Sequence, residues 1–157
     1  MINEDIHISI LEKNQLAPFD LLLTADPNRT KIEDYLMSGE CYVLKIQNKV
    51  KGVIVLEQRT ERVLEIVNIA VEESVQGRGL GKLLLRFAEK QAIKQKYEKL
   101  QIGTGNSSIN QLALYQKMGF EIKDVFHHFF TKNYPSPIYE NGIQCRHMIL
   151  LEKQLTY

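Results

Sequence analysis

The sequence predicts an α+β domain, a mixed and mostly antiparallel twisted sheet of about seven strands flanked by about four helices. Three observations predict it. Segments that alternate or run apolar at strand length stand on both sides of a long stretch with helical spacing. Three of these strand-like segments follow one another with only short polar turns between them, as hairpin-connected antiparallel strands do. The third then enters the helical stretch, and a crossover of that length is what a following parallel strand needs.

The elements follow in order. Ile6, Ile8 and Ile10 alternate with His7 and Ser9 as a short strand, and Asn14 to Ala25 and Asn28 to Met37 read as two helices, the second closed by Ser38-Gly39. Cys41 to Ile46 and Val50 to Glu57 are strands rich in Val and Ile, joined as a hairpin by Gln47-Asn48-Lys49. After the polar turn Arg59 to Arg62, Val63 to Val71 is nearly continuous in apolar residues, as a central strand is. Leu80, Leu83, Leu84, Phe87, Ala88 and Gln91 then recur at helical spacing, with Arg86, Lys90 and Lys94 on the other face. Leu100, Ile102 and Thr104 alternate as a strand, Gly105 to Ser108 is a loop and cap, and Ile109 to Met118 is a short helix ended by Gly119. Phe120 to Phe130 reads as a strand, Asn133 to Gly142 as a loop rich in turn formers, and Cys145 to Leu151 as the final strand.

Composition excludes several classes of function. The 157 residues have the length of one domain, spanning 1–157. Twenty Lys and Arg stand against 19 Asp and Glu, a net charge of +1, which favours neither nucleic acid nor an anionic membrane. The basic run from Lys94 to Lys99 is interrupted and has only Tyr97 to stack on a base. No apolar run approaches the roughly 18 residues of a membrane span. Met1-Ile2-Asn3-Glu4-Asp5 lacks the basic and apolar regions of a leader, and the chain reads as cytoplasmic. Cys41 and Cys145 match no CxxC spacing and read as buried packing residues. His127-His128 and His147 are not expected to bind metal, because adjacent strand side chains point to opposite faces and no acid or cysteine completes the set.

The chemistry concentrates in Val75-Gln76-Gly77-Arg78-Gly79-Leu80-Gly81-Lys82, between the buried strand and the long helix. A glycine-rich turn at a helix N-terminus points backbone N–H groups outward and admits a phosphate closely, so an anion site is expected. A dinucleotide GxGxxG fails here, since it needs glycine at Lys82 or at Leu84. A Walker loop fails too, needing glycine at Gln76 and a hydroxyl at Leu83.

What the turn does match is (Gln/Arg)-x-x-Gly-x-(Gly/Ala), as Gln76, Gly79 and Gly81, and in this it resembles the GNAT superfamily of N-acetyltransferases. Glu65 to Val71 is similar to the family's fourth strand, and Leu114-Tyr115-Gln116-Lys117-Met118-Gly119-Phe120 is similar to its L-Y-x-K-x-G-F segment. The resemblance implies coenzyme A, delivered as acetyl-coenzyme A, as co-substrate. The amides of Gln76, Gly77, Arg78, Gly79, Leu80, Gly81 and Lys82 would take its pyrophosphate, and the strand edge at Ile69, Ala70 and Val71 would pair with its pantetheine arm. Arg78, Lys82 and Arg86 would add charge near the phosphates. Where the family often has Asn seven residues before its tyrosine, this chain has Ser108; Asn106 serves the pantetheine instead or caps the helix. A homodimer is implied on the same ground alone.

Acyl transfer to a lysine-like amine of pKa near 10.4 costs about 4 to 5 kcal/mol for deprotonation at pH 7, so a base or a water chain is expected. Glu65 stands where the histone-acetylating branch carries its glutamate, and as a base it requires burial. Tyr115 falls at the family's tyrosine near the thioester sulfur, and its phenol would protonate the leaving thiolate. The long segment from Phe129 to His147 resembles an uncharacterised bacterial subgroup, which supplies no acceptor; Glu140 within it would bind a cationic amine or simply face solvent. The resulting expectation is an acyl-CoA-dependent N-acyltransferase acting by direct attack of a small-molecule or peptide amine. The alternative is a non-catalytic acyl-CoA sensor.

Overall fold

The computed structural model describes residues 5–156, so the start at 1–4 read above lies outside them. Its elements are β1 (Ile6–Ile10), α1 (Phe19–Ala25), α2 (Arg29–Ser38), β2 (Glu40–Ile46), β3 (Lys49–Gln58) and β4 (Val63–Val71), followed by α3 (Leu80–Lys94), β5 (Lys99–Gly105) and α4 (Ile109–Lys117). The chain continues through β6 (Glu121–Phe126), α5 (Phe129–Asn133), β7 (Ile138–Glu140), β8 (Ile143–Cys145) and β9 (Met148–Gln154). Seven strands form one sheet in the order β1-β2-β3-β4-β5-β9-β6, and β7 pairs with β8 alone. Only β4 and β5 run parallel, bridged by the α3 crossover. The expected mixed, mostly antiparallel sheet is therefore present.

Three boundaries differ from expectation, each for a local reason. The first helix starts at Phe19 rather than Asn14, because Pro18 is its N-cap and the residue before a proline is kept out of helical dihedrals. The strand from Phe120 ends at Phe126; His128 takes φ +61, which breaks the extended run, and Phe129 opens a short helix. The Asn133 to Gly142 loop contains β7, and Asn141-Gly142 at φ +55 and +73 forms the two-residue turn to β8. Cys145 thus ends that hairpin, and the last sheet strand begins at Met148.

Two apolar cores sandwich the sheet. On one face Leu80, Leu84, Leu85, Ala88 and Ala92 of α3 pack against Ile54, Leu64, Ile66, Leu100 and Ile102. On the other, Leu22 of α1 and Ile32 and Tyr35 of α2 cover Val43, Val53, Val55 and Ala70. Cys41 and Cys145 are buried and unpaired.

β4 carries a bulge: the register with β3 passes from Leu56↔Ile66 to Val55↔Asn68, leaving Val67 extra. The bulge turns Asn68 onto the α1/α2 face. There it is 4% exposed, and its Nδ2 donates to Leu22 O at 3.0 Å and to the Tyr35 hydroxyl at 2.8 Å. Asn68→Ala would remove two buried hydrogen bonds, leaving Leu22 O with Asp26 N–H at 3.1 Å and the Tyr35 hydroxyl with Asp26 Oδ2 at 3.4 Å. It is expected to destabilise the fold by about 2 kcal/mol, read as a lower urea midpoint; an unchanged midpoint would contradict that anchoring role.

Beyond the bulge β4 also leaves β5. Their pairing runs from Val63↔Lys99 to Ile66↔Ile102 and stops, while Gly103, Thr104 and Gly105 continue to pair with β9. Val67 to Val71 therefore have no strand on their β5 side, and the middle of the sheet is split.

Candidate active site

The split exposes specific backbone groups. A strand residue in a hydrogen-bonded antiparallel pair sends its N–H and C=O to the same neighbour, and successive residues alternate. Glu72 N–H donates to Lys51 O at 2.8 Å, which turns Glu72 and Ala70 toward β3 and leaves Ile69 and Val71 facing the split. Of the three residues expected at the edge, Ala70 thus spends its backbone on β3. The Gln76 side chain folds back to donate to Val71 O at 2.9 Å, joining the split to the turn that follows.

That turn is built by two left-handed glycines, Gly77 at φ +82 and Gly79 at φ +80, ψ +14, the latter the N-cap of α3. No heavy atom lies within 4 Å of a Cβ built on either, so the backbone dihedral is what requires glycine. Leu83 N–H bonds to Gly79 O at 3.1 Å, and Gly79 itself brings no side chain to cap the turn. The N–H groups of Leu80, Gly81 and Lys82 lie in the first turn, where helical N–H groups lack partners, at the positive end of a 15-residue helix. Gln76, Gly77, Arg78, Gly79 and Lys82 are all exposed, as an anion cradle must be. A cleft of about 930 Å³ opens alongside, lined by Phe19, Leu21, Arg29, Val71, Glu72 and Gln76 among others.

The third component is Tyr115 on α4. Its ring packs against Phe120 with 6.3 Å between centroids and the residue is 5% exposed. The hydroxyl has no hydrogen-bond partner among the described residues. Burial pushes the phenol above its ordinary value, which keeps it protonated.

An unpaired strand edge, a glycine turn at a helix N-terminus and a buried tyrosine are features that fit a thioester carrying a diphosphate, and the model of the Acetyltransferase (GNAT) family matches residues 9–120. The chain belongs to this family. An uncharacterised N-acetyltransferase of Bacillus subtilis, YvbK, is 45% identical over 148 residues, covering 94% of this chain and 96% of that protein. A GNAT family acetyltransferase from Elizabethkingia anophelis, solved with acetyl-CoA bound, superposes with a TM-score of 0.94 at 48% identity, over 96% of this chain and 98% of that one. An acetyltransferase of Bacillus subtilis in complex with CoA gives 0.90 at 45% identity, over 97% and 100%. The protein is therefore a GNAT acetyltransferase with acetyl-CoA as co-substrate, and the sensor alternative is not favoured.

The remaining expected site residues have varied surroundings. Glu65 lies in the last paired stretch of β4, opposite Gln101. Its Oε2 accepts from Arg59 at 2.6 Å, and Arg59 also pairs with Glu57 at 3.0 Å, so the carboxylate is held in an ion pair where burial alone was expected. Asn106 neither caps α4 nor keeps a free amide. Its Nδ2 donates to Gln144 O at 3.1 Å, and its Oδ1 accepts from the N–H groups of Arg146 at 2.8 Å and His147 at 2.9 Å. Ser108 is the N-cap of α4, but its hydroxyl turns away from the helix to donate to Glu140 Oε1 at 2.9 Å.

Sequence reasoning missed a polar network around the 133–142 segment. The Tyr134 hydroxyl donates to Asp26 Oδ1 at 2.9 Å and so ties the 133–142 segment to the α1–α2 junction across 108 residues. Nothing local in the sequence signals a contact of that separation. His127 and His128 both pack on the His147 ring, at 5.1 and 4.9 Å, because the strand ends before them and alternation no longer applies. Among the described residues no group of His, Cys, Asp and Glu is arranged to hold a metal ion.

Proposed function

We propose that the chain acetylates a primary amine by direct attack in a ternary complex, with the pantetheine arm along Ile69 and Val71 and the pyrophosphate on the amides of Gln76 to Lys82. The observation that carries this is the split in the sheet, which ends at the glycine turn. The Ile69 N–H, facing the split, polarises the thioester carbonyl. The ammonium gives one proton to water; the neutral amine forms the C–N bond as the C–S bond breaks and passes its second proton to water, while the Tyr115 hydroxyl donates to the departing thiolate and is reprotonated from solvent. Ala70 supports the edge through its bonds to β3, Asn106 and Ser108 shape the turn before α4, and Arg78, Lys82 and Arg86, all exposed, supply positive charge beside the phosphates. Two buried thiols accord with a reducing, cytoplasmic setting.

Thiol release from acetyl-CoA over a panel of polyamines, amino acids, aminoglycosides and peptides tests the reading. Release matched by an N-acetylated amine is expected; hydrolysis without an amine product would count against it. Glu65 enters this reading as an ion-pair partner of Arg59. Glu65→Gln is expected to change turnover by less than about tenfold and to leave the pH profile in place, since general-base loss costs about 100-fold or more. A loss of that size with a shifted profile would return the base role to Glu65.

A further inference from the structure

The segment that carries Glu140 is not a solvated loop. Asn106 holds Gln144, Arg146 and His147 by its side chain, and its own N–H donates to His147 O at 3.0 Å. Asn141 Nδ2 donates to Ser107 O at 2.8 Å. Two buried hydroxyls, Ser107 at 0% and Ser108 at 6% exposure, both donate to Glu140 Oε1, at 3.3 and 2.9 Å. Glu140 is thereby fixed against the N-terminal turn of α4.

Among the described residues no Lys, Arg or His lies at ion-pair distance from Glu140, and Oε2 has no hydrogen-bond partner. Its near neighbour Cys145 is buried, which raises the thiol above its usual value and keeps it neutral. The carboxylate is thus held in place through one oxygen while the other is left open to a cationic donor. Glu65, in contrast, already has Arg59.

Ser108 and Tyr115 are seven residues apart, about 10 Å along the helix axis and about 20° around it, so they share a face of α4. Long helical side chains point back toward the N-terminus, which carries the Tyr115 hydroxyl toward the end where Glu140 sits. We propose that Glu140 is the acceptor-binding carboxylate, that its free Oε2 receives the ammonium of a cationic primary amine on entry, before that amine gives up a proton to water and attacks, and that the enzyme selects acceptors of that class. This rests on the proposed function, in which Tyr115 marks the thioester sulfur.

Steady-state kinetics with cadaverine, spermidine and an Nα-blocked lysine, set against an arylamine that is neutral at pH 7, test it on the full chain. Glu140→Gln keeps the shape and the serine contacts, and it should raise KM for the cationic amines about 10- to 100-fold, the range for a lost charge-assisted hydrogen bond. The Kd of acetyl-CoA should stay within twofold. Ser108→Ala should give the same pattern with a smaller shift. A purely structural role would lower stability without moving the amine KM. An unchanged KM in Glu140→Gln, or an arylamine acetylated in preference to every cationic amine, overturns the proposal while leaving acetyl transfer standing. Failure of the wild-type chain to bind acetyl-CoA would instead remove the reading beneath it.

Discussion

Gly79→Val is expected to weaken acetyl-CoA binding by about 100-fold or more. Gly79 sits at φ +80, a conformation costing a residue with a Cβ about 1 to 2 kcal/mol and a β-branched one more. No neighbour would clash with the added atoms, so the whole effect comes from the backbone relaxing out of the left-handed region. That relaxation turns the amides at the start of α3 away from a common focus, and each charge-assisted hydrogen bond lost to the pyrophosphate is worth about 1.5 to 3 kcal/mol. Gly79→Asn separates the cause from mere substitution, because Asn visits the left-handed region; it should retain affinity within about tenfold. Calorimetric titration of the two variants reads the difference. Equal affinities would mean that the turn does not hold the diphosphate.

Tyr115→Phe should lower kcat by about 100- to 1,000-fold with the Kd of acetyl-CoA unchanged. The ring remains, so the packing on Phe120 is kept, and no described partner is orphaned when the hydroxyl goes. Stability should accordingly change by less than about 0.5 kcal/mol. Burial raises the wild-type phenol above its ordinary pKa of about 10, so its proton is retained as the solution reaches pH 10 and the wild-type rate should show no fall from Tyr115 ionisation there. Single-turnover thiol release gives the rate directly. A variant that turns over at the wild-type rate would leave the thiolate to be protonated by water.

The parts legible in the sequence were those written in local chemistry. Gly77 and Gly79 declare a left-handed turn that glycine favours, Val63 to Val71 declares a central strand by its apolar run, and the α3 stripe declares a packed helix. Asn141-Gly142 was equally readable as a hairpin turn, but the prolines on its N-terminal side masked it. What stayed hidden depends on partners distant in sequence. Arg59 beside Glu65, the serines beneath Glu140 and the bond from Tyr134 to Asp26 exist only once the sheet has been assembled. The bulge at Val67 belongs to this group as well: alternation alone would put Asn68 on the same face as Ile66, and the shift in register moves it to the other.

The most direct test is amide hydrogen exchange with and without acetyl-CoA, read residue by residue across β4 and the start of α3. Binding as described predicts slowed exchange at Ile69 and Val71, whose N–H groups face the split, and at Gly77 to Lys82, with Ala70 little changed because it is already bonded to β3. Acetyl-CoA that binds while leaving these amides unprotected would place the cofactor elsewhere and contradict the account.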